Sequence, residues 1–166
     1  MKILSKLLLM CLVLVMAACT NMVGYDDTNS VDLNNPGGGL VSDQTSSAYF
    51  QQAIGDRVLF LVDQATLTDA ARATLVAQAD WLSQNSDYQV IIEGHADEQG
   101  TREYNLALGA RRADAAREFL ISRSVPGNRV KVVSYGKERP LEICSDESCY
   151  SQNRRAVTVL SGGLTG

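Results

Sequence analysis

The chain has 166 residues, 45% hydrophobic and 20% charged content, a formal net charge of -4 and a pI near 4.9. This size and balance suit one globular domain with tails. The acidity argues against a general affinity for nucleic acid, which needs a basic face that no predicted element supplies.

Met1 to Lys6 is a short positive segment, Leu7 to Met16 is an apolar run, and Ala17 and Ala18 precede Cys19. This pattern is an export signal, with an apolar run about half the length that a spanning helix needs. Two readings fit: a plain secretory signal, or a lipoprotein signal cut before a cysteine. Met16-Ala17-Ala18-Cys19 resembles the bacterial lipobox, with Met in place of the usual Leu. Residues 1–18 are therefore expected to be a lipoprotein signal peptide, and Cys19 the lipidated N-terminus. Acyl chains would supply the membrane anchor, more than one being needed for a stable hold. Thr20 is not the Asp that usually retains lipoproteins at the inner membrane, so outer-membrane anchoring with a periplasmic domain is expected.

Residues 19–47 are rich in Asn, Asp, Ser, Thr and Gly and include Asn35-Pro36-Gly37-Gly38-Gly39. They read as a flexible tether with an r.m.s. span of roughly 30 Å and a taut reach of roughly 95 Å. Residues 48–166 are expected to form the folded domain.

Within it, Arg57 to Val62 is a nearly continuous apolar run, as expected of a buried strand. Leu67, Ala71, Leu75, Ala79 and Leu82 recur at helical spacing, with Thr68 as N-cap and Asp69 in the first turn. Tyr88 to Glu93 reads as a second strand, Arg102 to Ile121 as a long helix and Arg129 to Ser134 as a third strand. A turn-rich loop containing Cys144 and Cys149 leads to a last strand, Arg155 to Leu160. Strands alternating with helices predict an α/β (α+β) two-layer sandwich, with a mixed sheet of about four strands and the helices on one face. The first connections would be right-handed crossovers wherever their strands pair in parallel.

The long helix carries an anomaly. Leu106, Ala113, Ala116, Phe119 and Leu120 fall in one sector at about 100° per residue, and Arg112 falls inside it beside Asn105. A guanidinium on a core-facing stripe is costly unless something answers it. Asp63 after the first strand, and Asp97 and Glu98 after the second, are the candidate carboxylates. One reading is an internal Arg112 to Asp97 bridge. The other is a cleft in which Arg112 faces Asp97 and Asp63, ready for a ligand bearing both a carboxylate and an ammonium.

Catalysis has little support. His95 is the single histidine, no Gly-x-Ser-x-Gly elbow is present, and adjacent Asp97 and Glu98 rarely face one substrate. A lone His at a strand end is more often a hydrogen-bonded structural group. Cys144 and Cys149, in an exported chain, can close a small disulfide loop. As metal ligands they would supply only half of a structural zinc site, and no metal or other cofactor is expected.

Over Arg57 to Leu160 the chain resembles the OmpA C-terminal-like family of peptidoglycan-binding domains, in particular its lipidated members. The resemblance rests on Glu93-Gly94-His95-Ala96-Asp97-Glu98 with Gly100-Thr101, Glu103-Tyr104-Asn105, Arg111-Arg112-Ala113, Val133-Ser134-Tyr135-Gly136-Lys137-Glu138 with Pro140, and Ser151-Gln152-Asn153-Arg154-Arg155-Ala156-Val157. It implies a non-catalytic domain gripping the meso-diaminopimelate of peptidoglycan stem peptides. Asp97 and Arg112 match the residues that clasp the zwitterion, Asn105 and Leu108 the pocket-lining helix positions, and Asp63 the Asp after the first strand. Val62 replaces the aromatic usual before that Asp. The resemblance further implies a place in the Tol-Pal envelope system with TolB as partner, or else an adaptor role in another envelope or secretion complex.

Overall fold

The computed structural model describes residues 43–162. The expected signal peptide, Cys19 and most of the expected tether lie outside the described residues.

The order of elements is α1 (Ser47–Tyr49) running into a π-helical segment (Phe50–Gly55), β1 (Arg57–Leu59), α2 (Asp69–Gln84), β2 (Tyr88–His95), α3 (Arg102–Ser122), β3 (Val130–Gly136), α4 (Glu147–Asn153) and β4 (Arg155–Gly162). The sheet is four-stranded and mixed, in the order β1-β4-β2-β3. β4 runs antiparallel to both β1 and β2, and β2 pairs in parallel with β3. The two-layer mixed-sheet expectation holds. β1 and β2, however, are not neighbours, because β4 lies between them.

Alternation along the strands explains the layers. Val58, Val90, Ile92, Val130 and Ala156 are buried on the helix-bearing side. There they join Leu75, Leu82, Ala113, Ala116 and Leu120 in one core with Phe50 and Trp81. Thr68 caps α2 by accepting from the Ala71 amide, and Thr101 caps α3 through the Tyr104 amide. Inside the core, Gln78 donates to the Gly55 carbonyl at 2.7 Å and accepts from the Thr158 hydroxyl at 2.7 Å, so α2 is tied to β4 by satisfied polar groups.

α3 lies unusually close to the sheet. A Cβ built at Gly94 would stand 1.8 Å from the Gly109 carbonyl oxygen, and one at Gly109 would stand 2.4 Å from the Ser134 hydroxyl. Only glycines permit this backbone approach. It seats the start of α3 over the end of β2.

Three expectations are corrected. The first strand stops at Leu59 rather than Val62: the Phe60 amide still donates to the Arg154 carbonyl, but the chain then turns through a bond from the Gln64 amide to the Leu61 carbonyl, leaving Leu61 and Val62 exposed. The cysteine-containing loop includes a short helix, α4, capped by the Asp146 side chain on the Ser148 amide. Leu106 lies off the buried stripe of α3, whose buried positions are Asn105, Leu108, Gly109, Arg112, Ala113, Ala116 and Leu120. Residues 43–47, read from sequence as tether, contact the domain: Trp81 Nε1 donates to the Gln44 carbonyl and the Tyr88 hydroxyl to that of Thr45.

Candidate ligand cleft at the end of the sheet

The site grows from three chain segments that leave the same end of the sheet. The first is the turn after β1, where Asp63 takes a left-handed conformation (φ 55°) that non-glycine residues adopt at a cost of order 1–3 kcal/mol. The second is the turn after β2, Ala96 to Thr101, closed by a bond from Asn105 Nδ2 to the Gln99 carbonyl at 2.7 Å. The third is the first turn of α3. Between them lies a cleft of about 230 Å³ lined by Val62, Asp63, Asp97, Gln99, Gly100, Tyr104, Asn105 and Leu108.

Five of the sequence-predicted residues thus come together: Val62, Asp63, Asp97, Asn105 and Leu108. Arg112 is fully buried and is not among the residues lining the cleft. Its guanidinium donates from Nε to the Gln64 carbonyl at 2.8 Å, from Nη1 to that of His95 at 2.8 Å and from Nη2 to that of Leu61 at 3.1 Å. Among the described residues no carboxylate comes within ion-pair distance of Arg112, although Asp97 and Asp63 are near enough for their fields to act on it; backbone carbonyls supply its hydrogen bonds. They can do so because strand end and turn leave carbonyls that no ladder uses, and a planar fork reaches several at once. The bonds pin the turn after β1 to the end of β2. Burial lowers the pKa of Arg112 to about 10, with the fields of Asp97 and Asp63 opposing that shift.

Asp97 is buried and held from two sides. Its Oδ2 accepts from Arg154 Nη1 at 3.1 Å and its Oδ1 from the Gln99 amide at 3.3 Å. A carboxylate offers about four lone-pair sites, so these two bonds leave acceptor capacity for a ligand. Asp63 accepts from the Tyr104 hydroxyl, and the Arg111 guanidinium lies 5.9 Å from the centre of the Tyr104 ring. Glu98, the third candidate, points elsewhere: its Oε1 accepts from Ser145 Oγ and the Tyr150 hydroxyl, each at 3.0 Å.

His95 faces the other side of the sheet. It is 1% exposed, stacks on Tyr135 at 5.6 Å between ring centres, and neither ring nitrogen has a hydrogen-bond partner. It is buried, but the hydrogen bond expected of it is not formed. The Glu93 carboxylate, 3.7 Å from Nε2, favours the charged form; burial first, then Arg155 and Arg139, outweigh it and depress the pKa to about 4. Cys144 and Cys149 are joined by a disulfide, with Cα atoms 5.8 Å apart.

Residues that sequence reasoning missed are Arg154, Gln99, Gly100 and Tyr104. For Arg154 a signal existed: a pair of arginines directly before an apolar strand poses the same burial problem as Arg112. Its partner lies 57 residues away, which no local pattern reveals.

Chemically, the cleft offers two carboxylates, an amide and an apolar wall from Leu108 and Val62, with a buried cation close by. Such a site suits an ammonium group carried on an aliphatic stem.

Comparison with known proteins adds independent findings. The model of the OmpA family matches residues 59–154. A peptidoglycan-associated lipoprotein of Mesorhizobium japonicum is 54% identical over 134 residues, covering 81% of this chain and 79% of that one. The protein of the same name from Agrobacterium fabrum is 50% identical over 153 residues, covering 92% and 85%. The crystal structure of the peptidoglycan-associated lipoprotein from Burkholderia pseudomallei superposes with a TM-score of 0.66 at 35% identity, covering 72% of this chain and all of that one.

Proposed function

Because the chain belongs to the OmpA family, we propose that it is a non-catalytic peptidoglycan-associated lipoprotein that holds stem peptides by their diaminopimelate side chain. The observation that carries this reading is the convergence of Asp63, Asp97, Asn105 and Leu108 on one cleft with Arg112 beside it. The far end of diaminopimelate is a zwitterion on an aliphatic stem. Asp97 and Asp63 take its ammonium, and Leu108 and Val62 take the methylene groups. Arg112 favours its carboxylate: a guanidinium has five N–H donors, and three carbonyl bonds leave two. The only histidine is sealed under Tyr135, which supports binding over acid-base catalysis.

The apolar run before Ala17-Ala18-Cys19 and the polar, Gly-rich stretch that follows it support an outer-membrane anchor through a lipidated Cys19, with the domain in the periplasm. There the chain links that membrane to the cell wall, within a Tol-Pal assembly that includes a TolB-like partner and serves envelope integrity and cell division.

Incubation of the protein with purified sacculi tests the clasp. Asp97→Asn keeps the shape of the side chain and removes its charge, and should cost about 2 to 5 kcal/mol of binding. Equal co-sedimentation of Asp97→Asn and the natural chain, both folded by circular dichroism, overturns the assignment.

A further inference from the structure

The segment 144–153 packs against the back of the cleft and carries contacts that the proposed clasp does not use. Arg154 is 3% exposed and divides its guanidinium between two carboxylates: Nη1 reaches Asp97 Oδ2 at 3.1 Å and Glu147 Oε2 at 3.3 Å, while Nη2 donates to Glu147 Oε1. Nε donates to the Phe60 carbonyl at 3.3 Å. The arginine is therefore fixed by the chain after β1, by the turn after β2 and by Glu147. Of these, Glu147 is the unusual partner, because its side chain is 66% exposed. An exposed carboxylate ordinarily contributes little to an ion pair, since holding a free side chain in one geometry costs entropy.

What holds Glu147 is the ring. Cys144 and Cys149 close a loop with Glu147 inside it, Asp146 caps α4 from within the same loop, and Asn153 Oδ1 accepts from the Leu141 and Glu142 amides at its base. Closing a short loop removes conformations that the open chain would sample. Ser145, also in the ring, and Tyr150, just after it, both donate to Glu98, the residue next to Asp97. Ring and ligand turn are thus joined at adjacent residues.

We propose that the disulfide-closed ring, acting through Glu147 and Arg154, is a positioning element that orients Asp97 and sets how much of its charge faces the cleft. While Glu147 occupies one side of the guanidinium, Arg154 gives Asp97 a single bond to one oxygen. Without Glu147 the whole fork is free to grip Asp97 through both oxygens, the preferred geometry of an arginine with a carboxylate. Asp97 is then turned from the cleft and neutralised, and an ammonium ligand meets a weaker acceptor. The inference rests on the reading of the cleft as an ammonium site, and its test separates the two.

Three variants are compared with the natural chain: Glu147→Gln, the pair Cys144→Ser with Cys149→Ser, and all three changes together. A soluble stem peptide containing diaminopimelate is the calorimetric probe, and the side-chain N–H resonances of Arg154 are followed in nitrogen-15 spectra without ligand. Glu147→Gln and the ring-opened pair should each weaken binding about 5- to 30-fold. The triple variant should bind no more weakly than the weaker of the two, because both act along one path. The Arg154 resonances should move in all three. Unmoved resonances with natural affinity, or losses that multiply in the triple variant, overturn the inference. Should the ring-opened pair fail to fold, Glu147→Gln, whose disulfide is intact, carries the same decision. If the natural chain does not bind the peptide at all, the proposed function fails, and the ligand-free resonances still decide whether the ring positions Arg154.

Discussion

The two ends of the sheet solve one problem in the same way and put the solution to different use. At the cleft end, Arg112 donates to the carbonyls of Leu61, Gln64 and His95; at the opposite end, Arg129 donates to those of Leu82, Asn85 and Tyr88. Both arginines are buried, and each ties a strand to neighbouring chain that lacks ladder partners. Arg112 has Asp97 and Asp63 acting on it, and its end carries the cleft that both of them line. A buried arginine is thus no mark of a ligand by itself. The mark is a buried arginine that feels the fields of two carboxylates lining one cleft, as Arg112 does those of Asp97 and Asp63.

Removing each guanidinium breaks or sharpens this contrast. Arg112→Leu leaves carbonyls buried without donors and should cost about 3 to 5 kcal/mol in urea unfolding, with sacculus binding lost even in the folded fraction. Arg129→Leu should cost less, about 2 to 3 kcal/mol, since Arg129 retains 9% exposure and water can replace part of it. Its folded fraction should bind sacculi normally. Equal loss of wall binding in both variants would remove the distinction between the two ends.

Packing gives the next largest effect. Gly94→Ala places a methyl group against the Gly109 carbonyl, and should destabilise the domain by about 3 kcal/mol while displacing the start of α3. Sacculus binding should fall more than folding alone explains, because Asn105 and Leu108 ride on that helix.

The smallest effect depends on pH. Unfolded His95 takes up a proton near pH 6.5 and folded His95 only near pH 4. Between these values the unfolded state binds more protons, so the contribution is fully present above about pH 6.5 and is lost as pH falls towards 4. The decline should be at most about 3 kcal/mol, and His95→Leu should flatten it in unfolding curves taken across that range.

The sequence made some of this legible for physical reasons. α2 and α3 announced themselves by apolar spacing, α2 also by Thr68 at its start, and β2 and β4 by apolar runs. The run Arg57 to Val62 misled because apolarity does not distinguish a residue in a ladder from one lining a cleft: Val62 does the second. α4 was hidden by Ser and Asp residues typical of turns, although Asp146 before Glu147 is a helix-start pattern. For Arg112, the need for a partner was readable; its nature was not. Carbonyls belong to every residue, so sequence favours the more visible carboxylates. Asp97 was found, but its clasp by Arg154 joins distant segments and emerges only when β4 is placed between β1 and β2.

The attachment of residues 43–47 gives the domain a mechanical axis. Gln44 and Thr45 are fastened to Trp81 and Tyr88, at the first residue of β2, whereas Asp97 stands just beyond its last. The chain therefore enters at one pole and the cleft opens at the other, about 25 Å apart along the eight residues of β2. On the proposed placement between a lipid anchor and the wall, a pull would run along the strands. The hydrogen bonds joining β2 to β4 lie across that direction and would be sheared together rather than peeled one by one. Placed this way, the domain resists most strongly along the line on which a membrane drawn away from its wall would load it.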